Sequence, residues 1–523
     1  MTLMTQQTIW AAIALVAAAS MAFGADAPAD VDAWNQFRGP NGSGVARGCR
    51  PPVRLDADHL AWKTSVPPGL SSPVLAGARV FLTGVVSGRL LTIALDAASG
   101  DVVWRRPAPP VRIGRVHKTN SPASSTPCVD GERVYVYFGA YGLLCYDHDG
   151  REQWARPIPT PRNQYGMATS PIGHGDTVIL VLDDDANLPD SKVSRSRILA
   201  VSKATGETVW EAPRPLHRGG WSTPMIWSHA GGKDLVVMGS RRACGYDPET
   251  GVEKWYAGGF SPETITVPVA GNGHVHVSAT RLGGVPDEDP DPQPFWEAVM
   301  QFDSSGDGRL ERGEMTGHFT FPFRPELPPE HPGYGMPLPA DEARRKPRLD
   351  AMFARIDKNK DGFWTREEFL ASLSFRRAKP TLMAIRPGGR GDLVDTHVPW
   401  QLHREIPEIP SPVFHENRIY LVRNGGHLAA VDAADGKVLY RRRLGAPGQY
   451  SASPVVANGH LYLVSSRGVV SVVETGDTFR MVYQRDLGEP VFVTPAIDAR
   501  TIYLRTETRL LALRAGVVRA GKS

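Results

Sequence analysis

The sequence predicts an all-β protein: an eight-bladed β-propeller closed by an N-terminal strand and interrupted once by a small α-helical insertion. Three observations carry that expectation. A small residue followed by proline and a short apolar strand recurs eight times. The recurrences fall mostly 41 to 54 residues apart, the length of a four-stranded blade. An aromatic residue closes seven of the units, and the partner for the eighth lies at the opposite end of the chain.

The repeats begin at Ser72-Pro73, Thr126-Pro127, Ser170-Pro171, Thr223-Pro224, Val267-Pro268, Ser411-Pro412, Ser453-Pro454 and Thr494-Pro495. An alternating strand such as Val134-Tyr135-Val136-Tyr137 follows most of them. In the second half of each unit a third strand runs through an Asp-to-Gly turn into an aromatic fourth strand. Residues 94–104 show the pattern, with Asp96, Gly100 and Trp104. Asp can accept from amides of its own turn and Gly supplies a positive φ, so the spacing closes a hairpin. The closing aromatics are Trp104, Trp154, Trp210, Trp255, Trp400, Tyr440 and Tyr483, and the last unit stops at Leu510-Leu511-Ala512-Leu513 without one. The segment Leu60-Ala61-Trp62-Lys63 precedes the first repeat and supplies the missing strand. Pairing the two ends removes the exposed edges that an open ring would present.

Composition agrees. Gly (53) and Pro (45) are scattered through 523 residues, as many short strands with turns require, and 22% charged residues mark a chain that folds in water. A net charge of +4 is too mild for a nucleic-acid binder. Residues 9–19 are an apolar run ahead of Ala22-Phe23-Gly24, the shape of a secretory signal, although the leader carries no Lys or Arg. A periplasmic or secreted location is expected, with no transmembrane segment once the signal is removed. No cysteine lies just behind the apolar run, where an acylated one would sit, so no lipid anchor is expected. Only Cys49, Cys128, Cys145 and Cys244 are present, too few for a disulfide framework. Cys128 and Cys145 are assigned to the first and third strands of one blade, about 9 to 10 Å between Cα atoms, too far for a bridge.

The docking pattern of residues 94–104, repeated around the chain, resembles the PQQ-like β-propeller superfamily, which includes quinoprotein alcohol dehydrogenases and the BamB-type assembly factor. The likeness covers roughly residues 60–514 apart from one insertion. Trp34-Asn35-Gln36-Phe37-Arg38-Gly39-Pro40 is similar to the opening segment of secreted bacterial members. The resemblance specifies fold, not function.

The interval from Pro268 to Pro412 is longer than its neighbours by about 100 residues. It carries two 12-residue stretches, 303–314 and 357–368, that resemble EF-hand loops. Expected Ca²⁺ ligands are Asp303, Ser305, Asp307, the Arg309 carbonyl, Glu311 and Glu314, then Asp357, Asn359, Asp361, the Phe363 carbonyl, Thr365 and Glu368. Ca²⁺ takes six to eight hard oxygens; a loop that turns at Gly aims alternate side chains inward, and a final Glu closes the shell with both oxygens. Helices are expected at 295–302, 348–356 and 365–376. The division of the chain is therefore a signal peptide (1–24), an N-terminal extension (25–58), blades 1–4 and half of blade 5 (59–280), the EF-hand insertion (281–380), the rest of blade 5 and blades 6–8 (381–514), and a basic tail (515–523).

In a four-stranded meander the turn between the second and third strands and the passage to the next blade emerge on one face. The insertion shares that face with two enlarged loops. One is 105–124, with His117, Asn120 and Ser121; the other is 183–196, with Asp183, Asp184, Asp185 and Asp190. A protein partner is expected there. The acidic loop reads as a solvated turn, His117 as a loop residue or interblade hydrogen bond, and His274 with His276 as parts of a packed strand. The favoured function is a non-catalytic Ca²⁺-binding scaffold. The alternative is a PQQ- and Ca²⁺-dependent alcohol dehydrogenase, against which stand the lack of an adjacent cysteine pair, of a C-x-x-C-H haem site and of a mappable catalytic carboxylate. PQQ is possible as a cofactor and not favoured.

Overall fold

Short β-branched runs punctuated by Gly and Asx turns fold, in the computed structural model, into eight antiparallel meanders. The structure describes residues 34–184, 195–214, 217, 219–261, 263–280, 293–316, 319–322, 335–372 and 379–516. The leader expected at 1–24 lies outside them, as do Asp185 and Asp190. Blade 1 comprises Val74–Ala76, Arg79–Val86, Arg89–Asp96 and Val102–Pro107, and the order repeats to blade 7, which ends at Met481–Asp486. Blade 8 takes three strands from the C-terminus, and Leu60–Ser65 completes it, with Trp62 opposite Ala512. The eight-bladed ring closed by its N-terminal strand is thus as the repeat predicts. No helix among the described residues is long and apolar enough to cross a membrane.

Two sets of bonds join neighbouring blades. At the inner rim, the amide N–H of the residue before six of the eight repeat prolines donates to a hydroxyl at the same position one blade on. Ser72 donates to Thr126 Oγ1 (2.9 Å), Thr126 to Ser170 Oγ (3.0 Å) and Ser170 to Thr223 Oγ1 (3.1 Å). The series resumes from Val267 to Ser411 Oγ (2.9 Å), Ser411 to Ser453 Oγ (3.0 Å) and Ser453 to Thr494 Oγ1 (3.0 Å). Where Val267 lacks a hydroxyl, Ser222 Oγ instead donates to the Thr266 carbonyl at 2.7 Å.

At the outer rim, each docking tryptophan donates its indole N–H to a turn carbonyl of the next blade. Trp62 reaches Ala97, Trp104 reaches His148, Trp154 reaches Lys203, Trp210 reaches Pro248 and Trp400 reaches Ala433, at 2.8–3.2 Å. The indole lies flat on the turn glycine, where a Cβ on Gly100 would stand 2.5 Å from Trp62 and one on Gly206 2.7 Å from Trp154. Both glycines also hold positive φ (79° and 75°), so the position excludes a side chain twice over.

Blade 5 breaks the outer pattern. Trp255 donates within its own blade, to Asp234 Oδ2 at 2.7 Å. The segment Gly391–Asp392 then pairs in parallel with the outer strand of blade 4, Trp255 opposite Gly391, giving that blade a fifth strand.

The N-terminal segment does not skirt the ring but occupies its axis. The Trp34 carbonyl accepts from Leu75 N of blade 1 and the Asn35 carbonyl from Val129 N of blade 2, both at 2.8 Å. Asn41 bonds both backbone groups of Ile226 in blade 4, and Arg38 Nη2 donates to the Pro412 carbonyl just before blade 6 at 2.6 Å. Val45–Ala46 adds a parallel strand inside blade 7. A dozen residues can bond innermost strands on every side only along the central axis. Trp34 (1% exposed) and Arg38 (0%) fill it, and burial lowers the Arg38 pKa to about 9.

The four cysteines are buried, and Cys128, Cys145 and Cys244 are free thiols. Cys128 and Cys145 both face Tyr135, from the strands on either side of it, as the meander predicts. His276 is packed in its strand, its ring parallel to Phe414 (8°) and stacked near Trp400.

Two outcomes follow from this packing. Thr126→Val keeps the shape but strips the acceptor from the buried Ser72 N–H. Chemical denaturation should show a loss of about 1–3 kcal/mol, whereas an exposed threonine such as Thr205 changed to valine shifts the midpoint little. Burial holds the His276 pKa down to about 3 from 6.5. Its contribution is therefore whole above pH 6.5 and declines as pH falls toward 3, because the unfolded chain takes up a proton that the folded chain refuses. Denaturation midpoints of His276→Phe should vary less than wild type across that window.

Candidate metal centre

The insertion leaves blade 5 between the paired strands His274–Ala279 and Thr381–Ile385, whose ends meet as Ala279 opposite Thr381. It has its own apolar core, built from Phe295, Val299, Leu310, Phe319, Leu349, Met352, Phe353, Ile356, Trp364 and Phe369 among others. Helices form at Gln293–Met300, Glu342–Ile356 and Arg366–Ser372. The second starts earlier than its apolar spacing implies because Asp341 caps it, accepting from Arg344 N at 3.0 Å. The third is described to Ser372, and the rest of its expected span lies outside the described residues.

The two loops run side by side. Leu310–Glu311 pairs antiparallel with Phe363–Trp364, Leu310 opposite Trp364, so the eighth residue of each loop enters the shared core. Gly308 (φ 78°) and Gly362 (φ 88°) turn the loops at the sixth position. In the first loop Asp303 accepts from Gly306 N (2.6 Å) and Gly308 N (3.0 Å). Glu314 reaches back to Ser304 N, Ser305 N and Glu311 N, each at 2.9 Å. Burial pushes the Asp303 and Glu314 carboxyls up, but these amides more than offset it and leave both below their ordinary values. In the second loop Glu368 accepts from Lys358 N (3.0 Å) and Thr365 Oγ1 (2.9 Å), and Asp357 from Gly362 N (3.1 Å).

The loops differ in how their carboxylates converge. Oxygens of Asp357, Asp361 and Glu368 lie within 4.8 Å of one another, the span of two ligands on one ion at about 2.4 Å. The first loop does not gather three carboxylates so closely. Asp307 is held by the Arg309 guanidinium at 3.1 Å, which itself lies 3.9 Å over the Phe363 ring. Asn359 Nδ2 donates to Asp361 Oδ2 at 2.9 Å, leaving its carbonyl oxygen toward Asp361 N.

Elsewhere on that face the expected solvated acidic turn is corrected at its first residue. Asp183 is 1% exposed and receives Arg214 Nε at 2.9 Å and Nη2 at 3.3 Å, while Arg214 Nη1 bonds Tyr246. Burial opposes the Arg214 charge, and Asp183 overcomes it, so the cation is held well above its usual range. The sequence hid this pair because its members lie 31 residues apart, just past the second and the fourth strands of blade 3. Beside it, His217, Cys244 and Glu253 also come within 4.8 Å. Burial raises the Cys244 thiol to about 12, and burial with Arg214 depresses His217, so a protonated thiol packs against a neutral ring. His117 forms the loop contact expected of it, its ring nitrogen 2.8 Å from Thr119 Oγ1 and its amide donating to the Tyr165 carbonyl.

The sequence model of the family described as outer membrane protein assembly factor BamB matches residues 53–193, 194–289 and 391–521. A BamB from Alkalilimnicola ehrlichii is 31% identical over 148 residues, 28% of this chain, and the match spans 33% of that protein's length. Among solved structures, BamB from Moraxella catarrhalis aligns over 88% of this chain and all of its own, at 10% identity and a TM-score of 0.48. The computationally designed Ika8 protein aligns over 86% of this chain and 98% of its own, at 9% identity and a TM-score of 0.50.

Removing the cation from the buried pair leaves an uncompensated carboxylate. Arg214→Met should destabilise the fold by about 3–5 kcal/mol in chemical denaturation, with much of the loss recovered when Asp183→Asn is added.

Proposed function

The chain belongs to the family of outer membrane protein assembly factor BamB, and from that premise we propose a non-catalytic assembly scaffold of the bacterial periplasm whose insertion binds Ca²⁺. The observation that carries the reading is the filled axis. A ring that closes its centre with its own Trp34 and Arg38 offers other molecules its loops. A quinone enzyme of this fold needs a slot for a flat cofactor and a base beside it. No two cysteines adjoin in the sequence, which also weighs against PQQ. The partner is a protein, and the enlarged face that bears the insertion is where it docks.

For Ca²⁺ the donor set fits. Carboxylate, hydroxyl and carbonyl oxygens alternate around each loop, and Glu314 and Glu368 already reach back across theirs. Asp303, Ser305, Asp307, the Arg309 carbonyl, Glu311 and Glu314 would hold one ion. Asp357, Asn359, Asp361, the Phe363 carbonyl, Thr365 and Glu368 would hold the other. The second loop is the tighter site, since its carboxylates converge while Asp307 must first release Arg309. Extracellular modules bind at about 10⁻⁴ to 10⁻³ M, so at ten times Kd each ion adds about 1.4 kcal/mol of stability. The ions thus brace the insertion and do no chemistry.

Titration calorimetry on the full chain should find two Ca²⁺ sites. Glu314→Gln should remove the weaker, Glu368→Gln the tighter, and both changes together all uptake; unchanged uptake in the double variant overturns the assignment. Deleting the gene in the source bacterium should lower the folded β-barrel content of the outer membrane. Undiminished content refutes the assembly role, and dye-coupled alcohol oxidation by protein supplied with PQQ and Ca²⁺ would put the enzyme in its place.

A further inference from the structure

We propose that a pocket between the loops of blades 1, 2 and 3 binds a glutamate- or aspartate-rich peptide segment of a partner protein. The inference rests on the scaffold reading and locates where on the enlarged face recognition takes place. The pocket encloses about 280 Å³ between residues 113–122, the turn at Gly139 and residues 160–167. Val116, Pro122 and Met167 give it apolar walls, and Arg115 and Arg162 stand exposed around it. Among the described residues neither arginine has a carboxylate partner. The neighbourhood supplies none by sequence: 102–129 contains Arg105, Arg106, Arg112, Arg115 and Lys118, 153–175 contains Arg156 and Arg162, and neither stretch holds an Asp or Glu.

A second, independent observation lies deeper. Asn163 spends its side-chain oxygen on Tyr165 N at 3.1 Å, while its Nδ2, shielded from solvent, has no acceptor. A buried amide with two idle N–H groups is costly unless something accepts from it. Two guanidinium forks and an orphaned amide thus offer only donors to whatever enters. A carboxylate matches that set, since it accepts bidentate arginine and has lone pairs left for the amide. The apolar walls then select a carboxylate carried on a chain with aliphatic neighbours rather than a free inorganic anion.

The pocket is also stiff. Asn120 Nδ2 donates to the Tyr165 carbonyl at 2.9 Å, and Trp221 Nε1 to the Gly166 carbonyl at 2.9 Å. The Tyr165 ring is wedged edge-on between His117 (4.8 Å) and Trp221 (5.4 Å). Three successive blades therefore fix the loop that carries Arg162 and Asn163. Little ordering remains for the moment of binding, which favours affinity.

The test is fluorescence anisotropy on the full chain with a short labelled peptide alternating glutamate with leucine and glycine, against its glutamine counterpart. The glutamate peptide should bind at least about tenfold more tightly, and more weakly as salt rises. Arg115→Ala with Arg162→Ala should weaken it about tenfold, and Asn163→Ala severalfold, with melting temperatures unchanged. Arg442→Ala with Arg443→Ala, on the exposed outer strand of blade 6, should leave it intact. Equal affinity for the two peptides, or undiminished binding by the Arg115/Arg162 variant, overturns the pocket. That failure is distinct from failure of the scaffold reading, which is decided by outer-membrane β-barrel content in the deletion strain.

Discussion

The ring depends on one donor per blade being satisfied where it cannot be satisfied locally. Each innermost strand begins at a proline, which has no N–H, and the residue before it is forced into extended backbone. That residue's own N–H is buried and turned toward the neighbouring blade. A hydroxyl at the equivalent position of the neighbour accepts it, from Thr126 to Ser72 and on through Thr494 to Ser453. Because Thr126, Ser170, Ser411 and Ser453 each present an N–H to one neighbour and an oxygen to the other, the bonds form two runs that hold only if the blades are equivalently placed. Val267 shows the constraint by its exception, since the link there moves to Ser222 and the Thr266 carbonyl.

The same logic made most of the fold legible in the sequence. A requirement repeated around a ring leaves a residue type repeated along the chain, so Ser/Thr-Pro and Gly-to-Trp spacing could be read directly. The EF-hand-like loops were legible for a related reason: alternate oxygens and a turning Gly are local and depend on no distant partner. What could not be read lacks such repetition. The axial segment 34–46 bonds largely through backbone carbonyls such as those of Trp34 and Asn35, which every residue possesses. Asp183 sat among other aspartates and looked solvated, while Arg214, which neutralises it, follows a whole hairpin later. The unequal convergence of the two loops was also hidden, for Arg309 could as well have faced water as Asp307.

Blade 5 tolerates an insertion of about 100 residues because the cut falls where strands already end. Ala279 and Thr381 stay paired, so the inserted unit enters and leaves within one strand spacing and folds on its own core. What the blade gives up is the docking turn that Trp255 would otherwise engage. Two replacements hold the junction: the indole N–H is satisfied by Asp234 inside its own blade, and Gly391–Asp392 crosses to extend the sheet of blade 4.

The docking turns also explain why one face carries the variation. Turns between third and fourth strands, such as 97–101 and 203–207, lie beneath the tryptophan of the preceding blade, with a glycine pressed on its ring. Lengthening one would lift the indole and expose it, so that face is committed to holding blades together. The second-to-third turns and the interblade passages emerge opposite, free of that duty. There the chain places its insertion, the basic loops around Arg115 and Arg162, and the approach to the Asp183 pair. With the axis filled by Trp34 and Arg38, the ring is a rigid base, and the partner proposed for that face would find little left to order. Division of labour between the two faces is therefore a consequence of how the blades are joined.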